Sequence, residues 1–115
     1  MTTAPDFSSV IDSLYTLLQQ RKTADPGSSY AASLYAKGLD TILKKLGEEA
    51  AETLIAAKNE SDTALVYELA DLWYHTLVLM AQRNIAPQQI ADELTRRSTQ
   101  SGLAEKASRG TPTKE

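Results

Sequence analysis

The sequence predicts an all-α fold of about four main helices, and three observations carry that reading. Apolar residues recur at three- and four-residue spacing in four separate stretches. No stretch alternates apolar and polar residues as a half-buried strand would. The connections between the periodic stretches are short, so neighbouring helices should run antiparallel.

Phe7, Val10, Ile11, Leu14, Leu17 and Leu18 mark the first helix, which runs to about Arg21. Asp6 or Ser8 is suited to cap it. Residues 23–29 hold Pro26 and Gly27 and read as a loop, followed by a short segment from Tyr30 that ends at Lys37-Gly38. Leu39, Ile42, Leu43, Leu46, Ala50 and Leu54 predict one long amphipathic helix to about Lys58, weakened slightly by Gly47. A polar turn over 59–62 follows, with Ser61 or Asp62 as the next N-cap. Leu65, Leu69, Leu72, Trp73, Thr76 and Met80 share a face of the next helix, and Leu72 and Trp73 read as core or interface. That helix stops near Arg83-Asn84, where Asn tolerates a left-handed conformation. Pro87 opens a last helix at its first position, with Ile90 and Leu94 apolar. Residues 1–98 therefore read as a single domain, and 99–115 as a mobile C-terminal tail.

A chain of 115 residues buries only a modest core, so self-association would help it. The net charge of −3 argues against a nucleic-acid binder with a broad basic surface. There is no cysteine, which removes disulfides, thiolate metal sites and thiol nucleophiles. Neither a signal peptide nor an apolar run of about 18 residues is evident, so a cytoplasmic protein with no membrane partner is expected.

Two acidic clusters stand out: Glu48, Glu49 and Glu52, then Glu68 and Asp71. Residues three apart share a helix face, roughly 5–6 Å apart at Cβ. Glu52 and Glu68 are centred on position 60, and so are Glu49 and Asp71. Position 60 lies in the turn, so an antiparallel hairpin sets Glu52 beside Glu68 and Glu49 beside Asp71. Four carboxylates then converge between two helices, which is costly without a counter-charge. A hard divalent cation resolves the repulsion, and an all-oxygen donor set suits Mg²⁺ or Mn²⁺. Mg²⁺ keeps positions for water and substrate phosphate, so the site suggests phosphate chemistry.

Other residues sit within reach of this arrangement. Lys45 is one turn before Glu49 and either neutralises a phosphate or pairs with Glu49. Lys58 complements the end of its helix and is a weaker candidate for substrate. His75 follows Asp71 by four residues and is a candidate for binding substrate or taking a proton. The chain lacks the Glu-x-x-His repeat of di-iron bundles, a Gly-rich phosphate loop, and a Ser or Cys nucleophile set around its one histidine.

The stretches Ser29-Tyr30, Leu34 to Asp40, Lys44 to Glu52, Ala56 to Asn59 and Tyr67 to His75 resemble the phosphoribosyl-ATP pyrophosphatase family. That family is part of the all-α, MazG-like group of nucleoside triphosphate pyrophosphohydrolases. The resemblance covers about residues 7–97. The group's signature, Glu-Glu-x-x-Glu then Glu-x-x-Asp, is complete in Glu48, Glu49, Glu52, Glu68 and Asp71. Two departures are Ala31, where the family often has Thr after Ser-Tyr, and Leu46, where Val is usual. Ala31 carries no hydroxyl where the family's Thr would offer one. The resemblance implies hydrolysis of 1-(5-phosphoribosyl)-ATP at the α–β anhydride to 1-(5-phosphoribosyl)-AMP and pyrophosphate, the second step of histidine biosynthesis. It implies Mg²⁺, with Mn²⁺ as a substitute, on Glu49, Glu52, Glu68 and Asp71, and Glu48 orienting or deprotonating water. Lys45, Lys58 and Lys37 would bind phosphates, and a homodimer or higher homo-oligomer is expected. Two alternatives stay open from sequence: a house-cleaning pyrophosphohydrolase acting on other nucleotides, and a non-catalytic helical dimerisation module.

Overall fold

A computed structural model describes residues 4–59, 61–99 and 102–109, with the side chains of 104 and 105 left out of the description. Position 60, which the sequence reads as part of a polar turn over 59–62, therefore falls outside the described residues, as do parts of the stretch after 99. Among the described residues there are six α-helices, one 3-10 turn and no strand. Their contacts divide the chain into two units, Met1–Ile85 and Ala86–Glu115.

The first unit begins with α1 (Phe7–Gln20), which runs into the 3-10 turn Arg21–Thr23. Asp6 caps α1 by accepting a 2.8 Å hydrogen bond from the Ser9 amide. Next is α2 (Tyr30–Lys37), whose cap is Ser29, accepting from the Ala32 amide at 3.2 Å. α2 ends at Gly38, with φ 100°, a backbone conformation that side chains other than glycine's strain to adopt. Gly38 donates to the Leu34 carbonyl and accepts from Ile42, so one residue closes α2 and starts α3 (Leu39–Asn59). Ser61 caps α4 (Asp62–Gln82), and Asn84 past its end takes φ 57°.

α3 and α4 are each 21 residues long and pack on one another more extensively than any other pair. Thr53 fixes their register: its hydroxyl lies 2.8 Å from the Glu49 carbonyl of its own helix and 3.3 Å from the Glu68 carbonyl of the other. The core is built at the end of this hairpin away from the α3–α4 connection. Leu18, Leu34, Ile42 and Val78 are its fully buried large side chains, joined by Ala31, Leu77, Met80 and Ala81. Tyr35 donates to the Leu18 carbonyl at 3.0 Å and ties α2 to α1. α1 and α2 cover only that end of the hairpin, so the face expected to be buried along α4 is buried unevenly. Met80 is in the core, Leu65, Leu69, Leu72 and Thr76 are partly buried, and Trp73 is exposed against the edge of Phe7.

The second unit holds α5 (Pro87–Ser98) and α6 (Gly102–Arg109). Pro87 begins α5, and the Gln89 side chain accepts from the Ala86 amide at 2.9 Å. Glu93 pairs with Arg96 and Arg97 on its surface. α6 lies in the stretch that the sequence reads as a tail. Leu103 is its one large apolar residue, too little for the sequence to mark a helix there.

The packing leads to two opposed stability outcomes. Ile42→Ala removes a side chain with no exposure and should cost about 2–5 kcal/mol. Gly47→Ala adds a Cβ in mid-helix that meets nothing within 4 Å and should gain about 0.5–1 kcal/mol. Urea unfolding midpoints of the two variants against the parent check both.

Candidate metal centre

α3 and α4 bring three carboxylates together. Oxygens of Glu49, Glu68 and Asp71 all lie within 4.8 Å of one another, a group suited to hold a metal ion. Glu49 is the buried member, 5% exposed, while Glu68 and Asp71 are partly buried. Its helix places it there: Ile42, Glu49 and Ala56 repeat every seven residues and form the buried line of α3.

The environment of Glu49 disfavours its charge. Burial is the largest cause, followed by a hydrogen bond that the protonated Glu49 shares with the Glu52 carboxylate, and by the charges of Asp71 and Glu52. Lys45 opposes these, and the carboxyl is pushed up to about 7. Its Oε2 is buried with no hydrogen-bond partner among the described residues. An unsatisfied buried oxygen beside two further carboxylates is the donor chemistry that a hard divalent cation completes, so these residues fit such an ion.

The remaining candidates sit at different distances from this group. Glu52 is exposed and lies outside this group of three, touching it only through Glu49. Glu48 is also exposed, with Oε1 3.4 Å from the Lys45 ammonium. Lys45 lies 3.7 Å from Glu49 as well, and its hydrogen bond to Glu48 is the main reason its pKa is raised. Lys37 and Lys58 are exposed in the last turns of α2 and α3, where a cation complements the helix end. His75 is 3% exposed, and both ring nitrogens are engaged. Nδ1 is 2.8 Å from the Asp71 carbonyl oxygen and Nε2 is 2.8 Å from the Tyr30 hydroxyl.

Two residues here were not singled out by sequence reasoning. Thr53 carries the interhelical contact between the acidic turns, and a lone Thr in a helix gives no signal of that. Tyr30 is 45 residues from His75, and no local spacing links them. Loss of water around its hydroxyl raises the Tyr30 pKa, Lys45 lowers it, and Glu49, Asp71 and Glu48 raise it further. The hydroxyl therefore lies within reach of the same charges.

Residues 11–98 match the family described as phosphoribosyl-ATP pyrophosphohydrolase. The chain belongs to that family. It is 60% identical over 100 residues to the phosphoribosyl-ATP pyrophosphatase of Methylococcus capsulatus, covering 87% of this chain and 95% of the relative. The enzyme of the same name from Trichlorobacter lovleyi is 54% identical over 100 residues, covering 87% and 93%. That of Neisseria gonorrhoeae is 50% identical over 101 residues, covering 88% and 94%. As a member of the phosphoribosyl-ATP pyrophosphohydrolase family, the chain has the expected all-α architecture, and no described helix is long and apolar enough to cross a membrane.

The raised Glu49 carboxyl sets a pH dependence of stability in the metal-free protein. Its folded pKa of about 7 lies above the ordinary 4.5, so folding retains a proton that the unfolded chain gives up. That contribution is full below about 4.5 and is lost as pH rises through about 7. Urea unfolding in a chelator should give a higher midpoint at pH 5 than at pH 8 for the parent. Glu49→Gln should remove most of the difference, and an unchanged difference would show that another group controls it.

Proposed function

We propose that this chain hydrolyses 1-(5-phosphoribosyl)-ATP to 1-(5-phosphoribosyl)-AMP and pyrophosphate with Mg²⁺, the second step of histidine biosynthesis, in the cytoplasm. The carrying observation is the carboxylate group of Glu49, Glu68 and Asp71, with Glu49 buried, in a chain of this family. We assign the activity to residues 1–98, in keeping with the family match over 11–98.

In this reading Glu49, Glu52, Glu68 and Asp71 hold the cation, and Mn²⁺ can replace it. When bound, the ion neutralises phosphate charge and stabilises the charge that develops as the anhydride breaks. The protein's own groups do the rest. Glu48, exposed beside the cluster, orients the attacking water or takes its proton, directly or through a second water. Lys45 is held at the rim by Glu48 and Glu49 and turns to the phosphates as a point charge. Lys37 and Lys58 add positive charge further out. The hydrogen bonds of Thr53 keep the two acidic turns level, which a multi-carboxylate site requires.

His75 enters this scheme indirectly. Its ring is buried and both nitrogens are occupied, which favours action on substrate through Tyr30 over direct contact. A homodimer or higher homo-oligomer is supported by apolar surface at the turn end of the hairpin. Leu54, Ile55, Val66 and Tyr67 are 56–72% exposed there.

Pyrophosphate release from phosphoribosyl-ATP is the direct test. It should need Mg²⁺ or Mn²⁺, and deoxynucleoside triphosphates should be poor substrates. Asp71→Asn and Glu49→Gln should each lower turnover by more than about 100-fold, beyond the 10- to 100-fold typical of groups behind a metal's ligands. Wild-type turnover in Asp71→Asn would refute the ligand assignment. Rapid release from deoxynucleoside triphosphates, with none from phosphoribosyl-ATP, would replace the substrate. For the assembly, Val66→Glu should lower the sedimentation mass at micromolar protein, and an unchanged mass would move the interface elsewhere.

A further inference from the structure

Tyr30 lies outside the acidic signature yet is tied to it. It opens α2, and its side chain is half exposed while its hydroxyl reaches the buried His75. A carbonyl oxygen only accepts hydrogen bonds, so the 2.8 Å contact with the Asp71 oxygen puts the proton of His75 on Nδ1. In the neutral ring Nε2 is then an acceptor, and the Tyr30 hydroxyl donates to it at 2.8 Å. That fixes the rotor: the proton points at His75, and the oxygen keeps its lone pairs for a partner outside. Ring contacts hold the arrangement, with Tyr30 and Tyr74 each packed near edge-on against His75 at 5.7 and 5.4 Å between centroids.

An acceptor oriented in this way selects what it meets. The carboxylates around it, when ionised, also only accept, and Lys45, a donor, is engaged by Glu48 and Glu49 at 3.4 and 3.7 Å. Phosphate oxygens are acceptors too, so they find cations and ammonium groups, and not this oxygen. The donors that a nucleotide carries near its phosphates are its sugar hydroxyls. We propose that Tyr30, oriented by His75, accepts a hydrogen bond from a hydroxyl of the ribose that bears the triphosphate, and so sets a preference for ribonucleotide over deoxyribonucleotide substrates. Tyr30 is then a binding residue and His75 its positioning residue. The inference rests on the phosphoribosyl-ATP reaction proposed above and adds the contact that reads its sugar.

Steady-state kinetics test it, using phosphoribosyl-ATP and its forms lacking the 2′- or 3′-hydroxyl of that ribose. The parent should lose about 5- to 10-fold in kcat/KM on one of the two deoxy forms, chiefly through KM, as expected for one neutral hydrogen bond. Tyr30→Phe should lose a similar factor on the ribo form, with kcat within about 2-fold, and nothing further on that deoxy form. His75→Gln, whose amide oxygen can accept the same proton, should keep the discrimination, and His75→Leu should lose it. Urea midpoints establish that each variant is folded; if His75→Leu is not, Tyr30→Phe and His75→Gln decide the matter. Discrimination that survives intact in Tyr30→Phe, or is absent from the parent, overturns the sugar contact alone. A parent inactive on phosphoribosyl-ATP overturns the reaction and this inference together.

Discussion

A carboxylate buried with one oxygen unpartnered, beside two or three more carboxylates, is an arrangement that a folded chain does not hold without cost. Glu49 occupies that position on α3, with Glu68 and Asp71 facing it from α4 and Glu52 one turn along its own helix. The protein meets part of the cost by raising the Glu49 pKa and by setting Lys45 between Glu48 and Glu49. Neither measure satisfies the buried oxygen. A divalent cation answers the charge and the missing partner at once, and much of the remaining design can be read as keeping its donors in place.

That design is a symmetric hairpin anchored at one end. Two helices of equal length meet across a short turn, and Thr53 bridges their backbones at the level of the acidic residues. The core of Leu18, Leu34, Ile42 and Val78 clamps the far end. Gly38 lets α2 fold back at the start of α3, and this brings Tyr30 to His75 behind Asp71. The turn end is left with large apolar side chains in the open, the surface on which the proposed self-association rests.

Much of this was legible in the sequence because it depends on spacing. The common midpoint of the two acidic pairs anticipates the hairpin register, since antiparallel helices joined by a short turn have little freedom to slide. Ser61 and Asn84 were legible as a cap and a left-handed stop because their chemistry is local. Three-residue spacing placed Glu49 and Glu52 together on one helix face, and only tertiary packing separates the buried residue from the exposed one. Trp73, read as core or interface, stays out of the first unit's core, 47% exposed with Phe7 packed near-perpendicular to it, because hydrophobicity alone does not say which surface a side chain serves. The Tyr30–His75 bond joins residues 45 apart and has no signature in spacing, and α6 forms where Leu103 is the one large apolar residue.

The most direct measurement is calorimetric titration of Mn²⁺ into the metal-free protein near pH 6.5, in two buffers of different ionisation enthalpy, for the parent and for Glu49→Gln. With Glu49 titrating at about 7 and ionised by the ion, binding should release part of a proton in the parent, and the variant should bind weakly or without that release. Absence of binding in the parent even with a nucleotide present, or equal binding and equal proton release in Glu49→Gln, would contradict a metal centre built on this residue.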